Sequence, residues 1–257
     1  MKRILIGLSL IALGSTLAAA QTVDEILAKS FDARGGLEAI KGVGSARMSG
    51  KMSMGNGMEA PIVLEWKRPD KLRIEFTLQG MTGVQAYDGT TAWQVMPFMG
   101  KPDPEPMSEQ EAKQVIEQAD VIDGPLVDYA DKGNTVEYLG EDEVDGTAVH
   151  KLKLVEKNGN ESVIFLDAEY FMTIKSEATR EMQGVEMDTV TNIGDYKEVG
   201  ALILPYSISV ELTDMGMTQS ITFDTIELDV ELADDRFTMP EVETAEEEAT
   251  EEEGAGS

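Results

Sequence analysis

From Leu64 to Met99 the chain reads LEWKRPDKLRIEFTLQGMTGVQAYDGTTAWQVMPFM, and that stretch admits few folds. Leu72, Ile74, Phe76 and Leu78 fall on one side of an extended strand while Arg73, Glu75 and Thr77 fall on the other, the period of two that marks a sheet with one wet face. Leu64 and Trp66 alternate in the same way just before it. Between them, Arg68-Pro69-Asp70-Lys71 places proline second in a four-residue turn, which suits type I geometry, and Arg68 is held extended by the proline that follows. Asp88-Gly89 then predicts a two-residue hairpin between residues 84–87 and 91–95. Four successive antiparallel strands result, and Tyr87 and Trp93 add to a greasy, aromatic inner face.

Helical signals flank and interrupt this β pattern. Thr22 and Glu25 have capping-box spacing, and Val23, Ile26, Leu27 and Phe31 then share one helical face that ends at Gly35-Gly36, with one more turn over residues 37–41. Strands follow at 45–54 and 58–67 around Gly55-Asn56-Gly57; the first carries Met48, Met52 and Met54. The sheet is expected to stop at Pro102-Asp103-Pro104-Glu105-Pro106. Ser108 and Glu111 repeat the capping box, Val115, Ile116, Ala119 and Val121 run along a helix that breaks near Asp123-Gly124-Pro125, and Leu126, Val127 and Tyr129 predict a second helical piece to Gly133. Such an insertion within a β chain reads as a cover over the sheet.

Strands resume after Asn134, with Val136 and Tyr138, Leu152 and Leu154, Val163 and Phe165, Met172 and Ile174, and Val185 and Met187 alternating around turns such as Asn158-Gly159. Leu202, Leu204, Tyr206, Ile208, Val210 and Leu212 form the cleanest alternation in the chain. Ile221 and Phe223 are out of phase with Ile226, Leu228 and Val230, so a bulge near Thr225 is needed to keep both sets inward. The fold class expected is α+β: about eleven strands in one strongly curved antiparallel sheet, an incomplete β-barrel, covered by an N-terminal helix and a helical lid insertion.

Composition narrows the setting. The 257 residues show no internal linker and suit one domain, residues 21–240. Residues 1–20 read as a signal peptide, with Lys2-Arg3, an apolar core from Ile4 to Leu13 and Ala18-Ala19-Ala20 as cleavage site; the core is shorter than the roughly twenty apolar residues of a membrane span. Export to a periplasm with cleavage after Ala20 is therefore expected. No cysteine is present, which removes disulfides, a thiol nucleophile and the lipid-bearing cysteine of an anchored lipoprotein. A net charge of −28 argues against nucleic acid and against lasting attachment to anionic membranes. Residues 241–257, with Glu246-Glu247-Glu248 and Glu251-Glu252-Glu253, are expected to be a disordered acidic tail serving solubility.

Catalytic signals are weak. His150 is the only histidine, reads as a rim or solvent-facing strand residue and has no evident nucleophile to serve. Glu141-Asp142-Glu143 with Asp145-Gly146 reads as a turn rather than a calcium loop, and phosphate and dinucleotide fingerprints are absent. No catalytic residue, metal or cofactor is expected, and the chain is not read as an enzyme. Fifteen methionines against seven phenylalanines and two tryptophans point instead to a pliable interior.

Trp66-Lys67-Arg68-Pro69-Asp70, then Asp88-Gly89-Thr90-Thr91-Ala92-Trp93 with Pro97-Phe98, and finally Phe237-Thr238-Met239-Pro240, resemble in order and spacing the periplasmic carriers of outer-membrane lipoprotein sorting, the LolA-like family. The resemblance spans about residues 23–240. It implies a half-barrel whose apolar cavity takes acyl chains of lipoproteins or related lipids, here lined by Leu64, Trp66, Leu72, Ile74, Phe76, Tyr87, Trp93, Leu204, Tyr206 and Ile208. It implies that Val115, Ile116 and Leu126 belong to the lid, and that Arg68 is the latch that hydrogen-bonds the lid's backbone carbonyls; without the resemblance, Arg68 is a charged residue at a turn rim. The implied function is a soluble periplasmic carrier, a monomer meeting inner- and outer-membrane partner proteins transiently. The alternative is a sensory or regulatory lipid-binding module of the same fold that signals to a protein partner. The chain is longer and more acidic than the carriers it resembles, and its stretch 140–203 is longer than theirs, which leaves the cargo open among lipoprotein, glycolipid and fatty acid.

Overall fold

A computed structural model describes residues 22–241, apart from 55–56 and 183–184; the expected signal peptide and nearly all of the acidic tail lie outside the described residues. The chain opens with α1 (Val23–Ala33) and α2 (Leu37–Gly42). Six strands follow: β1 (Ser45–Met54), β2 (Met58–Lys67), β3 (Lys71–Leu78), β4 (Met81–Tyr87), β5 (Ala92–Met96) and β6 (Lys101–Pro106). Then α3 (Glu109–Gln118) and a run of turns lead to β7 (Thr135–Val144), β8 (Thr147–Val155), β9 (Glu161–Asp167), β10 (Thr173–Met182), β11 (Val185–Val199), β12 (Leu202–Leu212) and β13 (Met217–Leu228). All thirteen form one antiparallel sheet in the order β6-β5-β4-β3-β2-β1-β13-β12-β11-β10-β9-β8-β7. The edge strands β6 and β7 do not pair with each other, so the barrel is incomplete, as the alternation predicts.

Both capping boxes form: the Thr22 hydroxyl accepts from the Glu25 amide at 3.2 Å, and that of Ser108 from the Glu111 amide at 3.4 Å. The phase change in the last strand is also resolved as expected. Ser49 faces Thr225 but Gly50 faces Phe223, so Asp224 is an extra residue, and Phe223 and Ile226 both enter the core. Gly50 permits this, because a Cβ there would lie 2.1 Å from the Thr222 carbonyl oxygen.

Four local expectations are corrected. The proline-rich segment 101–106 does not end the sheet but forms β6, an edge strand where a missing N–H costs no ladder bond; it helps bring the strand count to thirteen rather than eleven. The Arg68–Pro69 peptide is cis, which the tertiary X-Pro amide allows, so that turn is not type I. The β4–β5 connection is four residues long because the Asp88 carboxylate accepts from the amides of both Thr90 and Thr91. Residues 119–133 are turns rather than a second helix, since Gly124 and Asp128 are left-handed and Pro125 offers no donor.

On the convex side, Glu65 is 2% exposed and is matched by Arg47 at 2.9 Å and by Arg236 at 2.7 Å. Trp93 donates its indole N–H to the Phe237 carbonyl at 2.7 Å and packs with Val84, Ala86 and Met239. The segment after β13 is thereby strapped across the backs of β2–β5. Expected as a cavity residue, Trp93 is corrected to the opposite face: it pairs with Ala86, one step out of phase with Tyr87 and Ala92, which point inward. Phe165 is likewise outward, beneath the ammonium groups of Lys151 and Lys175.

Candidate functional site: the concave face and its lid

Three apolar clusters line the concave face, and each includes residues from outside the sheet. Trp66, Leu204, Met48, Phe223 and Ile226 pack against Ile122 and Val127, with Leu64, Tyr206 and Ile208 partly buried at the margin. Leu72, Ile74, Tyr87, Met52 and Ile62 pack against Val115 and Ala119, with Phe76 and Leu78 at the margin. Leu152, Leu154, Ile164 and Leu166 pack against Leu126 and the α1 residues Ile26 and Leu27. The lid, residues 109–133, therefore fills the hollow with its own side chains. Ile116, expected among them, is 43% exposed and faces away, since it follows the buried Val115 directly on α3.

Beyond α3, the lid's backbone makes only turn bonds, such as Gly124 N–H to the Asp120 carbonyl at 3.3 Å and Lys132 N–H to the Asp128 carbonyl at 3.0 Å. Several of its other carbonyls accept from side chains, most of them from outside the lid. Trp66 donates to Ala119 at 2.7 Å; Arg34 donates to Ile122 at 2.5 Å and to Asp123 at 3.4 Å. Lys132 donates to Gly124 at 2.7 Å and Asn134 to Pro125 at 3.1 Å. A buried carbonyl needs a donor, and these few side chains supply it.

Arg68 acts differently from the latch that the family resemblance implies. Its guanidinium grips the Asp123 carboxylate with both terminal nitrogens, at 2.8 and 2.9 Å, while the remaining donors reach the α2-side carbonyls of Val43 at 2.9 Å and Ile40 at 3.3 Å. The arginine that reaches lid carbonyls is Arg34, the C-cap of α1, placed there because Gly35 lies against the Ala201 carbonyl and the Ile203 amide donates to the Arg34 carbonyl at 3.0 Å. Nothing in the sequence around Arg34 marks that role. Burial pushes the Asp123 carboxyl upward, but the hydrogen bonds from Arg68 and the charges of Arg68, Lys132 and Arg34 outweigh it and hold that carboxyl below its usual range. Near Arg34, burial pushes the Tyr196 phenol up to about 12, and its hydroxyl donates to the Thr173 carbonyl at 2.6 Å.

The lid does not cover the whole concave face. α3 lies over β3–β5 and α1 beside β7. On β11–β13, Ile193, Ile208, Val210 and Ile221 share the inward face and remain only partly buried, forming an apolar strip that leads from the lid toward the far ends of these strands.

His150 is not at a rim: it is 3% exposed, stacks on Phe171 at 5.3 Å between ring centres and meets the Tyr138 hydroxyl at 3.1 Å. Among the described residues, no three histidine, aspartate or glutamate side chains converge as a metal site, and no helix is long and apolar enough to cross a membrane.

No family profile matches the chain, and no curated protein is similar to it in sequence. Solved structures are similar in fold. A LolA superfamily protein from Nitrosomonas europaea superposes with a TM-score of 0.57 at 14% identity, covering 85% of this chain and 98% of that one. A structure described as an outer membrane lipoprotein-sorting protein domain, from Vibrio parahaemolyticus, gives 0.56 at 12% identity, covering 83% and 95%. A DUF1329 family protein from Desulfovibrio piger gives 0.57 at 13%, covering 81% and 95%. At these identities the likeness establishes a shared half-barrel fold.

Proposed function

We propose that this LolA-like half-barrel is a soluble carrier that takes up acyl chains of lipoproteins or related lipids on its concave face and delivers them across a periplasm toward the outer membrane. The observation that carries this reading is the lid: an apolar plug over an apolar trough, tied down by a small set of side-chain donors. Such a plug can be exchanged for methylenes at little net cost, because both present hydrocarbon to the same surface. The need for shielding is large, since an acyl chain of about sixteen carbons costs about 13 kcal/mol to hold in water at ~0.8 kcal/mol per methylene. In this reading Leu64, Trp66, Leu72, Ile74, Phe76, Tyr87, Leu204, Tyr206 and Ile208 meet the ligand. Val115 and Leu126 withdraw with the lid, and Arg34 and Arg68 with Asp123 set its closure. Removal of residues 1–20 on export and a solvating role for the acidic tail belong to the same proposal.

Mass spectrometry of organic extracts from protein purified out of its native compartment tests it. The carrier reading expects acylated molecules at up to one per chain that exchange into vesicles. Recovery of a stoichiometric protein partner and no acyl material would replace it with the sensory alternative.

A further inference from the structure

Among the residues whose burial is described, five methionines have exposed side chains: Met58 (43%), Met81 (38%), Met99 (70%), Met215 (58%) and Met217 (50%). They are not scattered. Met58 follows the β1–β2 connection, Met81 the β3–β4 connection, Met99 lies in the β5–β6 connection, and Met215 and Met217 flank the end of the β12–β13 connection. Because the sheet runs β6-β5-β4-β3-β2-β1-β13-β12 and every pair is antiparallel, these four connections sit side by side at one end of the trough. Arg68 and the β4–β5 and β11–β12 connections lie at the other end and carry no exposed methionine.

The lip carries few charges. Pro97-Phe98-Met99-Gly100 and Gln79-Gly80-Met81-Thr82 carry none and Thr213-Asp214-Met215-Gly216-Met217 carries one, while Glu59 follows Met58 and Lys101 follows Gly100, in a chain that is 27% charged with a net charge of −28. Unbranched, polarisable side chains on separate turns adapt to a fluid, irregular medium better than to one fixed pocket. An acidic protein is repelled by anionic headgroups, and a lip with so few charges loses little ion hydration on entering a zwitterionic interface. The partly buried strip of Ile193, Ile208, Val210 and Ile221 points to the same end.

We propose that this methionine lip docks the protein transiently on a zwitterionic bilayer surface, with the open end of the concave strip turned to the acyl region. The use of such docking for lipid transfer rests on the carrier reading; the docking itself does not. Flotation of the full chain with phosphatidylcholine vesicles, with and without phosphatidylglycerol, is the test, combined with peroxide footprinting of methionine oxidation. Expected are co-flotation with phosphatidylcholine, weaker with the anionic lipid, and at least threefold slower oxidation of the five lip methionines while the buried Met48 and Met52 are unaffected. Joint replacement Met58→Ser, Met81→Ser, Met99→Ser, Met215→Ser and Met217→Ser should cut vesicle binding at least tenfold. Tyr170→Ser, at the opposite end and 65% exposed, should not change it. Absence of co-flotation, a footprint that vesicles leave unchanged, or equal binding by the serine variant overturns the proposal, as does lip protection that tracks protein concentration without vesicles and so assigns the lip to a second copy. A chain that docks with a protected lip but takes up no fluorescent fatty acid in solution keeps the docking and loses the carrier function; the reverse pattern removes the docking alone.

Discussion

Asp123→Asn isolates the closure of the lid from the stability of the sheet. The wild-type carboxylate accepts both terminal nitrogens of Arg68, at 2.8 and 2.9 Å. An amide keeps one acceptor and turns an N–H₂ toward a guanidinium, so one charge-assisted bond, worth about 1.5–3 kcal/mol, becomes a donor–donor contact. Arg68 is 31% and Asp123 15% exposed, so water screens part of that loss and the net effect is about 1–2 kcal/mol. That corresponds to roughly 5- to 30-fold more open lid. Hydrogen exchange of amides in residues 119–127 should accelerate by that factor, while amides along β1 and β13 stay as they are. Emission from Trp66, whose indole N–H bonds the Ala119 carbonyl, should move in parallel. Equal acceleration in lid and sheet, or none in either, would refute a local latch.

Acid should mimic this variant. The Asp123 carboxyl is held below its usual range in the closed state, so its stabilisation is complete above the ordinary carboxyl pKa and is lost as pH falls through the depressed value; lid exchange should rise there in the wild type and not in Asp123→Asn. Gly50→Ala should abolish folding or cost several kcal/mol (about 2–4), read as a shift in denaturant midpoint, because its Cβ would meet the Thr222 oxygen at 2.1 Å. Trp93→Phe should cost about 1 kcal/mol for the bond to the Phe237 carbonyl and speed proteolysis of residues 230–241 without changing acyl binding. Ile116→Ser should leave stability within about 0.5 kcal/mol, since that side chain lies in solvent.

Alternation alone carried most of the sheet into view, down to the bulge that reconciles Phe223 with Ile226, because a half-buried strand leaves its period in the sequence. Trp93 eluded it: a large aromatic is buried on either face, and only the strap from Leu232 to Met239 decides that its face is the convex one. The proline run at 101–106 misled for the opposite reason, since an edge strand tolerates what an inner strand forbids. Of the latch, Arg68 was visible through its motif, but the Arg34 contacts and the Asp123 carboxylate bridge join residues 55 to 89 positions apart and follow from no local pattern.

The strand order has a kinetic corollary. Strands β1–β6 form one run of neighbouring hairpins and β7–β13 another, and the two runs share a single ladder, β1 with β13, linking residues such as Ala46 and Leu228. Each run can close through short loops, whereas that shared ladder must wait for ends far apart in the chain to meet. Refolding is thus a matter of two gutters formed early and one seam zipped late, with the lid segment, which joins β6 to β7, already bridging their outer margins.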